Sequence, residues 1–295
     1  MPNITLEKRG RDMTLQEVRT EIDSVDGQIK QLFKRRMQLA ENVAAIKAQT
    51  ADAIFKPDRE EAIIHRQTAD VDDTIKMEYT ALIKRIMEVS RKYQYGRTLE
   101  LRHCFPFTYE TETSQIATLA MIKPELYICD MYSKDQVVTV DTYDQIGQMI
   151  GEGTVDAGAG ILEDISFGVS DALHQMLAAH HLYINACYLR EDEGMMRKVV
   201  VFSKRLVVLP QHNRLKLMFV CPNRSGSLSS ILSMISDYGI NLTEIHSRPN
   251  GKKEDWNYNF FIELNMNLLE KESQALVFQL AEETQDLKIL GSYEV

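Results

Sequence analysis

An arginine stands where an apolar residue is due. From Leu15 the chain repeats apolar residues by threes and fours, through Val18, Ile22, Val25, Ile29 and Leu32 and then Leu39, Val43 and Ile46. Position 36 of that seam is Arg36. A guanidinium on a buried seam is costly unless an anion meets it, either a ligand or an acidic side chain across a bundle. Lys47 follows three turns plus about 20° later, so it shares the face of Arg36 about 16 Å along the axis. Two such cations could converge on an anion between them, although Lys47 alone reads as a solvated lysine. Arg19 lies about 25 Å before Arg36 and on another face. From spacing alone it is an exposed helical arginine; in an antiparallel pair of long helices it could enter a partner's site. Ser90 and Gln94 extend another apolar stripe (Ile75, Tyr79, Leu82, Ile86) and either tie helices together or face a ligand. Arg59 and Glu60 are weak signals by themselves. The chemistry such a set allows is electrostatic: holding an anion and stabilising charge as it develops. No nucleophile, metal or cofactor set accompanies it.

The elements that must position these residues follow from periodicity. Thr14 with Glu17 makes a capping box, and the seam implies one helix of about 35 residues, roughly 50 Å long. A helix that long with a continuous apolar seam needs a partner, and a second copy of the chain is the simplest. Pro57 opens a second helix running to about Ala69, with Asp58 and Glu60 at its positive end. Asp72 and Asp73 cap a third, which Gly96 should end, leaving residues 97–106 as a linker. Residues 107–212 mix strand-like runs (VVTV, LYINACYL, KVVVFSKRLVVL) with helical stretches at 142–151 and 169–180, an α/β layer. Residues 213–295 read as βαββαβ, the ferredoxin-like order.

The 295 residues are too many for one compact core and suit two or three domains. The net charge of −9 is uneven, +2 over residues 1–102 and −11 over the remainder. Neither part is the basic domain that nucleic-acid binding needs, and the small surplus of the first suits anionic small molecules. Four cysteines without CxxC spacing argue against a disulfide scaffold or zinc site. No run approaches the roughly 18 apolar residues of a membrane span, and the polar start lacks a signal peptide; a cytoplasmic protein is expected.

Taken together, LQEVRTEIDSVDGQIKQLFKRRMQLAENVAAIKAQ, IFKPDREEAII and LIKRIMEVSRKYQ resemble the all-helical class of chorismate mutases, without a gap over residues 14–95. The resemblance implies an intertwined dimer of three-helix chains and a role for each polar residue above. Arg36 would hold a substrate carboxylate, and Arg19 would come from the other subunit. Lys47 would reach a carboxylate and the ether oxygen, and Gln94 would be the second donor to that oxygen. Glu60 would hold the ring hydroxyl, with Lys56, Arg59 and Ser90 lining the pocket. Lys56 departs from the family, which commonly has an acid there. Chorismate is a dianion whose rearrangement to prephenate is concerted and moves no proton. A catalyst need only fix a compact conformer and stabilise charge on the breaking ether oxygen, so no cofactor is implied.

The last part resembles the ACT domain that ends prephenate dehydratases, through PNRSGSLSSILSMISDYGINLTEIHSRP and LKILGSYE. His246 replaces the usual acid before Ser247. The resemblance implies phenylalanine as effector, bound between two ACT domains by Asn223, Gly226, Ser227, Leu228, Asn241, Ser247, Arg248 and Pro249. Between the outer domains, VDAGAGILEDISFGVSDALHQMLAAHHLYINACYL looks like a worn copy of a dehydratase stretch. The glycine-rich opening has no glycine, a Thr-Arg-Phe signature has become Met196-Arg197-Lys198, and about 100 residues leave no room for a second lobe.

The expected protein is multidomain, α plus α/β: a helical mutase domain (1–96), a linker (97–106), a degenerate dehydratase-like region (107–212) and an ACT domain (213–295). The expected function is chorismate mutase in aromatic amino-acid biosynthesis, as a homodimer with neither nucleic-acid nor membrane partners. A bifunctional chorismate mutase–prephenate dehydratase and a non-catalytic phenylalanine sensor are the rivals.

Overall fold

The computed structural model describes residues 14–122, 131–192, 194–221, 225–250 and 257–295. Helix α1 spans Leu15–Thr50, opened by the reciprocal Thr14–Glu17 box and closed by Ala51 in the left-handed region. Helix α2 spans Pro57–Thr68 with proline in its first turn, and α3 spans Lys76–Arg102. Asp72 does not cap α3; its carboxylate binds Thr74, and Ile75 is the residue before the helix. Gly96 does not end α3 either, and residues 97–102 are helical rather than linker. The expected stop fails because the helix keeps packing: Tyr95 is fully buried with its ring edge-on to Phe278 at 5.6 Å, and Leu99 joins the same cluster. Phe105, Phe107 and Tyr109 then lie against the C-terminal core, so the rest of the supposed linker is also docked.

The remaining strands form one sheet. In chain order they are β1 Leu119–Ile122, β2 Val137–Val140, β3 Ala157–Asp164, β4 Gly168–Val169, β5 Tyr183–Asp192, β6 Met195–Ser203, β7 Arg214–Cys221, β8 Asn241–Pro249, β9 Tyr258–Asn265 and β10 Gln285–Tyr293. Helices α4 Tyr143–Glu152 and α5 Asp171–His180 cover the middle part; α6 Ser227–Asp237 and α7 Lys271–Glu283 cover the C-terminal part. The sheet order is β2-β1-β3-β6-β5-β10-β7-β9-β8, with β4 paired to β3. The last four positions, β10-β7-β9-β8, are all antiparallel neighbours and realise the βαββαβ reading. The middle and C-terminal regions are joined where β10 pairs in parallel with β5 at Gly291 and Ile184. A Cβ on Gly291 would meet the Ile184 carbonyl oxygen at 2.4 Å, so only glycine lets the two backbones approach.

Candidate active site

The helical region brings its polar residues to one place. Arg36, Lys47, Lys56, Arg59, Glu60, Ser90 and Gln94 all line a cavity of about 320 Å³ between α1, α2 and α3. The 3.6-residue period explains this: Ala40 and Ala44 are buried between Arg36 and Lys47 on α1, and the small side chains let α3 approach. Apart from Gln67 and Arg91 the other walls are apolar, with Leu39, Val43, Ile54, Ile63 and Ile86 among them.

Arg36, Lys47 and Lys56 are held by the chain itself. Arg36 donates from Nη1 to the Ile86 carbonyl at 3.3 Å. Lys47, buried at the end of α1, donates from Nζ to the carbonyls of Ala53 (2.7 Å) and Ile54 (3.0 Å), just past the helix it closes. Lys56 pairs with Asp52 at 2.6 Å. Gln94 donates through Nε2 to the Ser90 carbonyl (3.1 Å) and hydroxyl (3.3 Å). Burial lowers the Lys47 pKa; Asp52 and Glu60 pull it back while Lys56 and Arg59 push it further down. Burial likewise lowers that of Arg36, with Glu60 opposing. Five cationic side chains and a single carboxylate line the cavity. Such a cation-rich pocket favours an anion of more than one charge.

Arg19 is not there. It sits exposed in the first half of α1, and its neighbours along the seam are bare: Leu32 is 68% exposed, Leu15 67% and Ile22 53%. Sequence reasoning also missed a residue. Arg91, beside Ser90 on α3, lines the same cavity and is nearly buried. Its Nη1 donates to Glu60 at 2.5 Å and its Nε to Glu283 at 3.0 Å, while its guanidinium lies 4.6 Å from the centroid of the Phe55 ring. The signal available was weak: an arginine next to the apolar stripe, whose two acids stand far away in sequence.

The expected effector residues are only partly gathered. Gly226 caps α6 with φ +85°, a conformation that favours glycine, and Ser227 and Leu228 begin the helix. Ser247, Arg248 and Pro249 end β8, at the same sheet end as this turn, because Pro249 pairs with Tyr258 and Tyr258 with Cys221. Arg248 also donates to Asp171 at 2.6 Å, tying β8 to α5. Asn241 lies at the other end of β8, about 26 Å away at the strand rise, so one chain does not bring it to the turn. Asn223 lies outside the described residues.

In the middle region Arg197 pairs with Asp164 at 2.5 Å and Lys198 with Glu163 at 2.7 Å, neighbours across β3 and β6. His174, Glu244 and His246 each place a donor atom within 4.8 Å of the others. The Glu244 carboxylate is already engaged by the fully buried Lys216 (2.6 Å) and by His246 (2.9 Å). An ammonium at that position opposes a metal cation, and the group works as an internal ion-pair network. Among the described residues Cys104 and Cys187 are free thiols, and no helix is long and apolar enough to cross a membrane.

Comparisons with known proteins agree with this division. Residues 18–95 match the family model of chorismate mutase type II, and residues 216–272 that of the ACT domain. The bifunctional chorismate mutase/prephenate dehydratase of Aquifex aeolicus (strain VF5) is 33% identical over 144 residues, 48% of this chain and 39% of that protein. The protein of the same name from Neisseria gonorrhoeae is 32% identical over 98 residues, 31% of this chain and 27% of that protein. The chain therefore spans less than half the length of these curated relatives. Among solved structures, prephenate dehydratase from Streptococcus mutans superposes with a TM-score of 0.51 at 19% identity, over 60% of this chain and 97% of that one. GqqA, described as a novel type of quorum-quenching acylase, gives 0.53 at 18% identity, over 60% and 94%. At such identities the likeness is one of fold. The chain thus carries a chorismate mutase type II domain and an ACT domain, joined through a central α/β region folded like prephenate dehydratase.

Proposed function

We propose that the protein is a chorismate mutase that works as a homodimer and takes phenylalanine as its effector. The observation that carries this reading is the single cavity shared by Arg36, Lys47, Lys56, Arg59, Glu60, Ser90 and Gln94. Arg36 and Lys47 meet the two carboxylates of a folded chorismate conformer, replacing their bonds to backbone carbonyls. As the ether C–O bond breaks and the new C–C bond forms, charge grows on the ether oxygen, where Lys47 and the Gln94 amide donate. Glu60 accepts from the ring hydroxyl. Lys56 stands where the family commonly has an acid, and its ammonium is held by Asp52. The missing Arg19 arrives from a second copy packed along the exposed α1 seam, which also removes that apolar surface from water.

The names of the two relatives favour a second reading, in which the central region also dehydrates prephenate. Against it, the described part of residues 107–212 builds one side of one sheet, and Met196 occupies the position expected to supply a catalytic hydroxyl. Incubating chorismate with the pure protein separates the readings. Prephenate as the sole product is expected. Enzyme-dependent phenylpyruvate at neutral pH would establish the bifunctional enzyme, and untouched chorismate would leave a phenylalanine sensor.

A further inference from the structure

Helix α3 has two working faces. Ser90 and Gln94 look into the mutase cavity, whereas Arg85, Glu88 and Lys92 meet the ACT helix α6. Arg85 donates to Asp237 at 2.8 Å, the Ser230 hydroxyl donates to Glu88 at 3.3 Å, and Lys92 lies 4.5 Å from the centroid of the Tyr238 ring. Arg91 belongs to both faces. It is the cation between Glu60 of the cavity and Glu283 of α7, and its side chain is only 8% exposed. From Glu283 the polar chain continues inward. Gln279 donates to Glu283 at 2.9 Å and accepts from the Tyr238 hydroxyl at 3.1 Å. Tyr238 ends α6, the helix whose other end carries the Gly226 turn.

We infer that Arg91 positions Glu60 for chorismate, and that the ACT domain sets this position through Glu283. The inference rests on the mutase reading above. Its physical basis is a divided guanidinium. Arginine presents donors in a rigid planar fork, so the Nη1 bond to Glu60 and the Nε bond to Glu283 cannot be adjusted independently. A small displacement of α7 along α3 changes where the fork holds the Glu60 carboxylate. With the Arg91 side chain only 8% exposed, little solvation of the guanidinium softens that change. Arg91 does not touch the reacting atoms; its effect appears in how tightly the substrate is held.

Steady-state mutase kinetics on the full chain test this, with and without millimolar L-phenylalanine, for wild type, Arg91→Gln, Arg91→Lys and Glu283→Gln. Arg91→Gln is expected to raise KM at least fivefold while kcat changes less than threefold; a smaller rise in KM overturns the positioning role. Arg91→Lys restores a charge for Glu60 but cannot span both acids. It is expected to recover at least half of the lost KM, yet its KM should no longer respond to phenylalanine. Glu283→Gln is expected to bring the ratio of KM with and without phenylalanine to about one, with phenylalanine still bound by calorimetry. A wild-type ratio in Glu283→Gln overturns the coupling, as does a wild-type KM that ignores bound phenylalanine. Should Arg91→Gln fail to fold, Arg91→Lys and Glu283→Gln decide. Wild type that leaves chorismate untouched overturns the mutase reading itself, a result distinct from active enzyme with indifferent variants.

Discussion

The helical region and the sheet solve the burial problem in opposite ways. The sheet buries two extensive cores, one under α4 and α5 and one under α6 and α7, with Phe202, Leu215, Phe219 and Leu264 fully enclosed. The helical region encloses little beyond Ala40, Ala44, Ile54, Met87 and Tyr95, and Phe278 of the ACT domain closes part of that. Yet the helical region holds the cluster of cations, while the ionic groups of the sheet are paired with one another. A site for a dianion needs charged side chains whose only internal partners are neutral carbonyls, as with Arg36 and Lys47. A stable core needs the reverse, as with Lys216 and Glu244. On the proposed function, the comparison teaches that the less self-sufficient half carries the chemistry.

The largest effect that tests the contrast is the loss of a cavity cation. Arg36→Ala should lower kcat/KM for chorismate by roughly a thousandfold, about 4 kcal/mol, because a substrate carboxylate then enters the cavity without its charged partner. Arg19→Ala should be comparably inactive. Refolding the two variants together should restore activity in verified heterodimers, one site being intact; no recovery would refute a site shared between chains. Replacing Arg197 by alanine in the sheet should leave mutase turnover unchanged.

The pH dependence sharpens the point. Wild type should be nearly flat from about pH 6 to 8.5, since the Gln94 amide does not titrate and lysine ordinarily titrates near 10. The lowered pKa of Lys47 places the alkaline fall below the ordinary lysine range: activity is present while Nζ is protonated and is lost as pH rises through that value. Gln94→Glu should be active mainly in acid and lose roughly tenfold per pH unit above the new pKa. A flat, fast Gln94→Glu enzyme would show that Gln94 does not meet the ether oxygen.

In the sheet, ionic groups should count as stability rather than turnover. Burial raises the Glu244 pKa, but His246 and Lys216 outweigh it and hold the carboxyl at about 2, below its usual 4.5. The folded state therefore favours the ionised form. That stabilisation is complete above about pH 4.5 and disappears as pH falls through 2. Glu244→Gln should cost on the order of 3 kcal/mol at pH 7 and little near pH 2, measured by denaturant unfolding. An equal loss at both pH values would assign the effect to packing. The smallest effect concerns the effector: phenylalanine at about a hundred times its Kd should add roughly 2.7 kcal/mol. Gly226→Val should remove this shift by forcing a β-branched residue to positive φ. An undiminished shift in that variant would place the ligand elsewhere.

Local signals explain what could be read in advance. The caps, the threefold and fourfold spacing and the position of Pro57 lie within a few residues of what they determine, so α1 and α2 were legible, as were the ACT elements. The cavity was legible because Arg36 violates its own seam. Gly96 misled because a glycine inside a helix is tolerated when packing continues beyond it. Strands β1 and β3 were not among the runs that looked like strands. In β3, Gly158 and Gly160 replace the expected large residues, since a Cβ there would strike Phe202 and Ile146 or Tyr143 at 2.4–2.6 Å. Arg91 was invisible because both of its acids are long-range partners.

The contact at Gly291 also bears on how the molecule comes apart. With β10 hydrogen-bonded to β5 on one side and β7 on the other, the middle region and the ACT domain share one backbone ladder. Opening that ladder exposes amides of both regions together, so the two should exchange hydrogen as a single cooperative unit. The helical arm, without its second copy, should exchange far sooner. A ligand on the ACT turn would then slow exchange in β5 and β6, strands it never touches.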